Sequence, residues 1–214
     1  MFVQTLTAAA FELLKALGGR NLPSSFYLAG GSAAALHLGH RISVDLDFFT
    51  QDEIYDMDAL RRALGSAGRL DVRQQAAGTL IGMLNGVQVS FFAYPYPLLR
   101  PGKELEGARI ADLYDIALMK VIAISQRGTR RDFVDLYFMC RSGMELTGML
   151  EDIPRKYPSV GYPSYHILRS LAYFADAEKE APLRSLAAWD WGEIKRFFEG
   201  EVRRLMGRFG ASGG

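Results

Sequence analysis

Apolar residues recur along the chain with two different spacings, and the change of spacing separates its two halves. In the first half, the short runs 70–75, 79–84 and 87–93 have the length and apolar content of β-strands. Asn85 and Gly86 separate the last two runs and are the residue pair typical of a two-residue hairpin turn. In the second half apolar residues repeat at helical spacing. We predict helices there over 110–125, 131–140, 165–178 and 190–207.

Local signals add a helix at each end of this pattern. The N-terminal segment predicts an amphipathic helix that ends at Gly18 and Gly19. At the other end, Asp190 with Glu193 three residues later is the spacing of a capping box that opens the last helix. A further helix is predicted over 58–68, and the tail 210–214 is predicted to fray. The inward leucines of the N-terminal helix are predicted to be Leu6, Leu13, Leu14 and Leu17.

Residues 29–50 carry the densest pattern in the chain. The apolar strand 26–28 leads into Gly30, and a predicted helix then ends at Gly39. The segment 43–49 alternates polar and apolar residues, which predicts a strand. Alternate side chains of a strand share a face. We therefore expect Ser43, Asp45 and Asp47 on one face of this strand, and Val44, Leu46 and Phe48 on the other.

Asp45 and Asp47 are candidate metal ligands. Aspartate is rare in strands and like charges on one face repel, so the pair is unfavourable without a reason. A divalent cation removes that repulsion, and Mg²⁺ is usually held by one or two carboxylates together with substrate phosphates. The alternative is the solvent-facing polar side of an edge strand. The apolar residues packed around the pair in the sequence favour the metal interpretation.

Gly30, Gly31 and Ser32 are candidate phosphate ligands. Glycines let the backbone approach a phosphate closely, and the helix that follows presents free N–H groups to an anion. An ordinary tight strand-to-helix turn has the same three residues, so both interpretations stand. Arg41 has two interpretations as well: it neutralises phosphate or pairs with the aspartates, or it is a loop cation with structural hydrogen bonds.

A second group of charged residues lies in the helical half. Lys120 falls within an otherwise apolar helix, where a lysine must reach solvent or meet an anion. Asp132 and Asp135 are three residues apart and share a helix face. Either Lys120 contacts phosphate and an aspartate orients it, or Lys120 and the aspartates form a buried salt bridge between two helices. Three arginines, Arg127, Arg130 and Arg131, form a basic cluster between these residues.

Composition excludes several classes of protein. The chain has 214 residues and a formal net charge of +1, which argues against a strongly basic nucleic-acid binder but not against a local basic patch. The single cysteine excludes an intramolecular disulfide framework and a multi-cysteine zinc site, and it fits a reducing cytoplasm. No apolar run reaches the roughly 18 residues that cross a bilayer, so no membrane association is expected.

The segments AGGSAAALHLGHRISVDLDFF (29–49) and DIALMKVIAISQRGTRRDFVDLYFM (115–139) resemble the AbiEii/AbiGii toxin family of nucleotidyltransferase-like proteins. That family belongs to the DNA polymerase β-like nucleotidyltransferase superfamily. The resemblance implies an α+β fold: a polymerase β-like nucleotidyltransferase core, with a mixed β-sheet flanked by helices, over 1–105, and a helical region packed on it over 106–214. It also implies a cytoplasmic enzyme that uses Mg²⁺ and a nucleoside triphosphate (NTP).

The resemblance also implies roles for the residues already singled out. Asp45 and Asp47 would bind Mg²⁺ and act in catalysis with Lys120, Asp132 and Asp135. The triphosphate would be held by Gly30, Gly31, Ser32, Arg41 and Ser43. We expect Asp45→Ala, Asp47→Ala and Lys120→Ala each to abolish activity and leave the fold intact.

The function implied is transfer of a nucleoside monophosphate from NTP to an RNA such as tRNA, a protein or a small molecule. A toxin of this kind also implies a cognate antitoxin. One departure matters: many related transferases carry a third carboxylate on a later strand, and this chain has Ser90 there, with no Asp or Glu between Asp71 and Glu104. Either Asp132 or Asp135 takes the place of that carboxylate, or the reaction uses one metal ion, or the protein is a catalytically weak or inactive nucleotide-binding module of the same fold. A separate alternative is a structural partner that uses the aromatic-rich segment 91–96.

Overall fold

The computed structural model describes residues 1–19, 22–53, 55–181 and 183–209. They fall into two compact units, Met1–Asp112 and Leu113–Gly214. The sequence-based division into domains 1–105 and 106–214 stays a prediction. The fraying predicted for 210–214 lies outside the described residues.

The first unit is built on a mixed sheet flanked by helices, as predicted. Among the described residues the sheet has seven strands in the order β3-β4-β5-β2-β1-β7-β6. The pairs β2–β5 and β1–β7 are parallel and the other neighbours are antiparallel. The strands are β1 (Tyr27–Ala29), β2 (Leu46–Thr50), β3 (Leu70–Ala76), β4 (Thr79–Leu84), β5 (Val87–Ala93), β6 (Lys103–Leu105) and β7 (Ala108–Ile110). The helices are α1 (Ala8–Leu17), α2 (Gly30–Leu38) and α3 (Met57–Ala67).

Two hairpins differ in how well local residue preference predicts them. Asn85 and Gly86 have φ of 51° and 82° and join β4 to β5, as their sequence predicts. The hairpin β6–β7 was missed. Its turn residues Glu106 and Gly107 also have positive φ, at 51° and 77°, but glutamate is not a residue that favours this conformation. The local turn signal is therefore weak at a point where the sheet gains two strands.

The strand that carries the aspartate pair begins later than predicted. β2 starts at Leu46, so Asp45 precedes the strand and Ser43 forms only an isolated bridge to Leu6. Within β2 the alternation holds: Leu46 and Phe48 are buried and Asp47 is half-buried. Val44 is exposed, against the prediction, because the regular alternation does not extend to it.

The N-terminal helix and the glycine stop are confirmed. Helix α1 ends at the cap Gly18, and its predicted inward residues Leu13, Leu14 and Leu17 are buried. Leu6 is buried as well, but it precedes the helix, which begins at Ala8. Gly39 ends α2 in the left-handed conformation, with φ of 72°. Gly30 belongs to the first turn of α2, so the predicted glycine turn is the start of the helix itself.

The second unit is helical. Its helices are α4 (Leu113–Gln126), α5 (Arg130–Arg141), α6 (Leu146–Lys156), α7 (Ser164–Leu171) and α8 (Trp191–Phe209). The predicted start of α8 is confirmed, since the Glu193 N–H donates to the Asp190 carboxylate at 2.9 Å. None of the described helices is long and apolar enough to cross a membrane.

Two helices of this unit differ from the sequence prediction. α6 was missed, although Leu146, Met149, Leu150 and Ile153 have helical spacing and are buried. The helix predicted over 165–178 ends at Leu171. The chain leaves the helix there, and Phe174 packs against Phe133 with ring centroids 5.1 Å apart. A tertiary contact therefore ends α7 before its sequence pattern does.

Candidate active site

The connection from β1 to α2 brings the first predicted glycine against an aspartate. Ala29, the last residue of β1, pairs with Asp47 of β2. Gly30 follows with φ of +64°, a conformation that favours glycine. A β-carbon added at residue 30 would lie 3.2 Å from Oδ2 of Asp47. The Asp47 carboxylate therefore lies directly against the backbone that starts α2.

The N-terminal end of α2 has hydrogen-bond donors that can bind an anion. Its N-cap, Ala29, makes no side-chain capping hydrogen bond. The first N–H groups of a helix have no partner inside the helix and carry partial positive charge. This end can therefore bind a phosphate beside a carboxylate that can bind a cation.

Ser32 and Ser43 hold the segment that leads into β2. The Ser32 hydroxyl donates to the main-chain carbonyl of Asp45, and the two serine Oγ atoms are 2.9 Å apart. Both serines are buried. Their hydroxyls therefore fix the backbone at Asp45 relative to the first turn of α2. The resemblance implies that these serines hold triphosphate; the observed contacts are with the protein, and phosphate contact stays a prediction.

Arg41 is packed against the second glycine. A β-carbon at residue 31 would lie 2.5 Å from a terminal guanidinium nitrogen of Arg41, so a larger residue there would displace the guanidinium from this position. Arg41 is buried and donates to the carbonyl of Ile42 at 3.2 Å. A guanidinium held at the first turn of α2 adds positive charge where an anion would bind.

The neighbouring strand brings Ser90 beside the aspartates. Ser90 of β5 pairs with Asp47, and it is buried. The structure describes no group of three or more His, Cys, Asp or Glu residues that could hold a metal ion. In the part of the chain that the structure describes, no third residue of these types therefore joins Asp45 and Asp47 in such a group. Two carboxylates together with substrate phosphates are a ligand set that Mg²⁺ uses in nucleotide enzymes, and Asp45 and Asp47 would supply the carboxylates.

The second predicted cluster is a buried ion triad. Lys120 Nζ of α4 lies 2.8 Å from Asp132 Oδ1 and 2.8 Å from Asp135 Oδ2 of α5. The side chains are 8%, 2% and 0% exposed, in that order. The salt bridge between two helices is therefore present. Contact of Lys120 with phosphate stays a prediction.

Further hydrogen bonds complete this triad. Thr129 caps α5 and its hydroxyl donates to Asp132 Oδ2 at 2.6 Å. Arg127 Nε is 3.5 Å from the same oxygen. Burial opposes ionisation of Asp132, but Lys120, Thr129 and Arg127 outweigh it, so the pKa of Asp132 lies below its ordinary value. The carboxylate is therefore ionised at neutral pH.

A second buried ion pair in this unit was missed from the sequence. Lys156 Nζ of α6 lies 2.7 Å from Asp115 Oδ1 of α4, and both side chains are fully buried. Burial lowers the pKa of Lys156, and Asp115 opposes that shift. The signal was available: Asp115 stands between Tyr114 and Ile116 in an apolar helix, the same pattern that identified Lys120.

Similarity to known proteins identifies the family. A family model described as nucleotidyl transferase AbiEii toxin, Type IV toxin–antitoxin system, matches residues 12–204. The chain belongs to this family. An uncharacterized protein of Aquifex aeolicus (strain VF5), aq_aa25, is 37% identical over 199 residues, which cover 91% of this chain and 95% of that protein.

Two solved structures show the same fold. JHP933 from Helicobacter pylori matches with a TM-score of 0.52 at 17% identity, over 96% of this chain and 95% of that chain. MenT4, the nucleotidyltransferase toxin Rv2826c from Mycobacterium tuberculosis H37Rv, matches with a TM-score of 0.50 at 16% identity, over 92% and 80%. The predicted family and the predicted α+β nucleotidyltransferase fold are confirmed.

Proposed function

We propose that this member of the family is an active, Mg²⁺-dependent enzyme that transfers a nucleoside monophosphate from NTP to an acceptor hydroxyl. The observation that carries the proposal is the Asp47 carboxylate lying against the Gly30 backbone at the open start of α2. A cation site and a phosphate site then share one corner of the sheet. This arrangement suits a nucleotide that binds together with a divalent ion, which Asp45 and Asp47 would hold.

Some residues of the first unit would bind the metal ion and the phosphates, and others position the backbone around them. Asp45 and Asp47 would hold Mg²⁺, which neutralises charge that develops on the phosphates. The N–H groups at Gly30 and Gly31 bind the triphosphate, and Arg41 adds positive charge. Ser32 and Ser43 position the backbone before β2 through the contacts they already make.

The reaction is an in-line displacement at the α-phosphorus. The acceptor oxygen forms a bond to phosphorus, the bond to the leaving pyrophosphate breaks, and the hydroxyl proton passes to water. Lys120, Asp132 and Asp135 belong to the proposal as the second group required for activity. Their mutual contacts make them a rigid unit.

The acceptor defines three forms of the proposal: an RNA such as tRNA, a protein, or a small molecule. As a toxin the enzyme would act in the cytoplasm and be opposed by a cognate antitoxin. A second candidate function is a catalytically weak or inactive nucleotide-binding module. Ser90 supports it, because this uncharged residue pairs with Asp47 on the neighbouring strand.

The test is incubation of the full chain with each α-³²P-labelled NTP, Mg²⁺ and total cellular RNA, with protein-only controls, resolved on a denaturing gel. We expect label in an acceptor, absent for the double variant Asp45→Asn/Asp47→Asn. Asp71→Asn is the matched control, because Asp71 is an exposed aspartate on β3 of the same sheet.

Two results contradict the proposal. Label that persists in the double variant removes the metal assignment. An absence of label with every acceptor, together with Mg²⁺-dependent NTP binding by calorimetry, favours the inactive binding module instead.

A further inference from the structure

A cavity of about 570 Å³ lies within the helical unit, where α4 and α7 end. The turn between α4 and α5 forms one wall, and Gly128 in that turn has φ of +52°. This cavity is not part of the candidate site at Asp47 and Gly30. Its polar and aromatic lining includes Gln126, Arg127, His166, Arg169, Ser170 and Tyr173.

The charge of the lining favours an anion. Arg127 and Arg169 supply two guanidinium groups, and the Arg127 side chain is 68% exposed. The lining also holds a carboxylate, Asp176, but this group is paired with Lys179 at 2.9 Å. The ends of α4 and α7 contribute partial negative charge. Arg127 shares its charge with Asp132, whose Oδ2 lies 3.5 Å from the Arg127 Nε, so Arg169 is the main positive charge of the lining. A guanidinium carries a full charge and several hydrogen-bond donors, which exceeds the partial charges of the helix ends.

Aromatic rings stand beside these arginines. Tyr173 lines the cavity and is 58% exposed, and Tyr165 nearby is 45% exposed. The Arg169 guanidinium, which lines the cavity, lies 5.9 Å from the centre of the Tyr165 ring. Exposed aromatic rings next to cations are the surface on which unpaired nucleic-acid bases stack while their phosphates are neutralised.

The structure separates the arginines that the sequence grouped together. Arg130 is used internally: its Nε donates to the Ala177 carbonyl at 3.0 Å and its guanidinium lies 5.1 Å from the Trp191 ring. Arg127 instead lines the cavity, together with Arg169 from α7. The basic surface is therefore formed by residues distant in sequence, and Arg130 is not part of it.

Arg127 also connects the cavity to the buried triad, since its Nε contacts Asp132, the partner of Lys120. We propose that this cavity binds the phosphate backbone and an unstacked base of single-stranded RNA, the acceptor strand. The inference rests on the proposed function for the role of that RNA as acceptor. The binding itself is independent of Asp45 and Asp47.

Fluorescence anisotropy with a short labelled single-stranded RNA and the full chain tests the proposal. We expect Tyr173→Ala to weaken binding about fivefold or more, as loss of one base stack does. Arg169→Gln should weaken binding and lower the slope of log affinity against log salt by about 0.7 for each phosphate that Arg169 neutralises. Arg203→Gln, an exposed arginine of α8, is the matched control and should leave both unchanged.

Competition with ATP and with inorganic phosphate distinguishes RNA from a free phosphate ligand. Displacement by RNA alone supports the proposal. It is overturned if ATP or phosphate displaces the probe equally well at the same phosphate concentration, or if Arg203→Gln weakens binding as much as Arg169→Gln does. Unchanged affinity in both cavity variants overturns it as well.

Nucleotide transfer, measured in parallel, separates the two proposals. RNA binding that depends on Tyr173 and Arg169, without any transfer, contradicts the proposed function and leaves the RNA site standing. Transfer to RNA that is insensitive to both cavity variants overturns the RNA site alone. Transfer to a protein acceptor, with no RNA affinity at the cavity, overturns it too.

Discussion

The two units of this protein use charged residues in opposite ways. In the first, Asp47 is half-buried on a strand, against the backbone of Gly30. In the second, Lys120 is enclosed with two aspartates, and Lys156 is enclosed with Asp115. The first arrangement keeps a carboxylate beside a helix end that can bind an anion, whereas the second neutralises each buried charge within the protein.

This difference predicts that substitutions in the first unit affect activity and that substitutions in the second unit affect stability. A half-buried carboxylate remains partly solvated and contributes little to folding, so its removal affects ligand binding most. A buried ion pair behaves differently, because loss of one partner leaves the other charge without compensation. Substitutions in the two units should therefore be distinguishable by measuring activity and unfolding on the same samples.

The largest effect should come from the double variant Asp45→Asn/Asp47→Asn. Metal-ion stabilisation of developing charge is worth several kcal/mol, so the rate of transfer should fall about a thousandfold or more. The melting temperature should stay the same or rise, because repulsion between the carboxylates is removed. Thermal unfolding and transfer rates, measured without and with Mg²⁺, check the two expected results. A large loss of stability would contradict the assignment of these aspartates to ligand binding rather than folding.

Lys120→Met should destabilise the second unit. The substitution leaves Asp132 and Asp135 buried without their cation, and breaking a buried pair in this way costs about 3–5 kcal/mol. The structure thereby changes the expectation that Lys120→Ala leaves the fold intact. Urea unfolding measures the effect. If activity disappears while the free energy of unfolding is unchanged, Lys120 acts in the reaction rather than in packing.

Lys156→Met should also destabilise the second unit, but it should not lower the rate of nucleotide transfer. Removal of Lys156 leaves the buried Asp115 without its cation and should lower the free energy of unfolding by about 3–5 kcal/mol. The double variant Lys156→Met/Asp115→Leu should recover most of that loss. A double-mutant cycle by urea unfolding gives the coupling. Additive losses in the two single variants and the double variant would show that the pair does not act as a unit.

The smallest effect concerns acid stability. The folded pKa of Asp132 lies below its unfolded value, so its contribution to stability is present above the unfolded pKa of about 3.9. That contribution is lost as the pH falls through the folded pKa. Asp132→Asn should therefore flatten the decline in stability below about pH 4, relative to wild type and to Asp71→Asn. Unfolding at several acidic pH values checks it, and an unchanged slope would contradict it.

Local sequence signals predicted most helices and strands, and they failed where a tertiary contact sets the end of an element. The strands predicted over 79–84 and 87–93 have those bounds, because Asn85 and Gly86 specify their turn without help from the rest of the chain. The end of α7 was wrong, since Phe174 leaves the helix to pack against Phe133. The hairpin at Glu106 was missed, because the sheet, rather than residue preference, holds that glutamate at positive φ.

In the candidate site, the sequence could propose which residues matter but not how they are paired. It left open whether Lys120 meets a phosphate or a salt bridge, and the fold supplies the two aspartates at 2.8 Å. It grouped Arg127 with Arg130 by proximity along the chain. Folding placed Arg130 against Trp191 and Arg127 in a cavity with Arg169.

The resemblance of two segments indicated the family and its α+β fold, and residue type and short-range spacing indicated residues that carry charge into apolar surroundings, such as Lys120. The folded chain was needed to show which charges are neutralised, that Ser90 lies beside Asp47, and that Asp115 and Lys156 form a buried pair. Strand register and helix packing set those distances, and both depend on contacts between residues far apart in the chain.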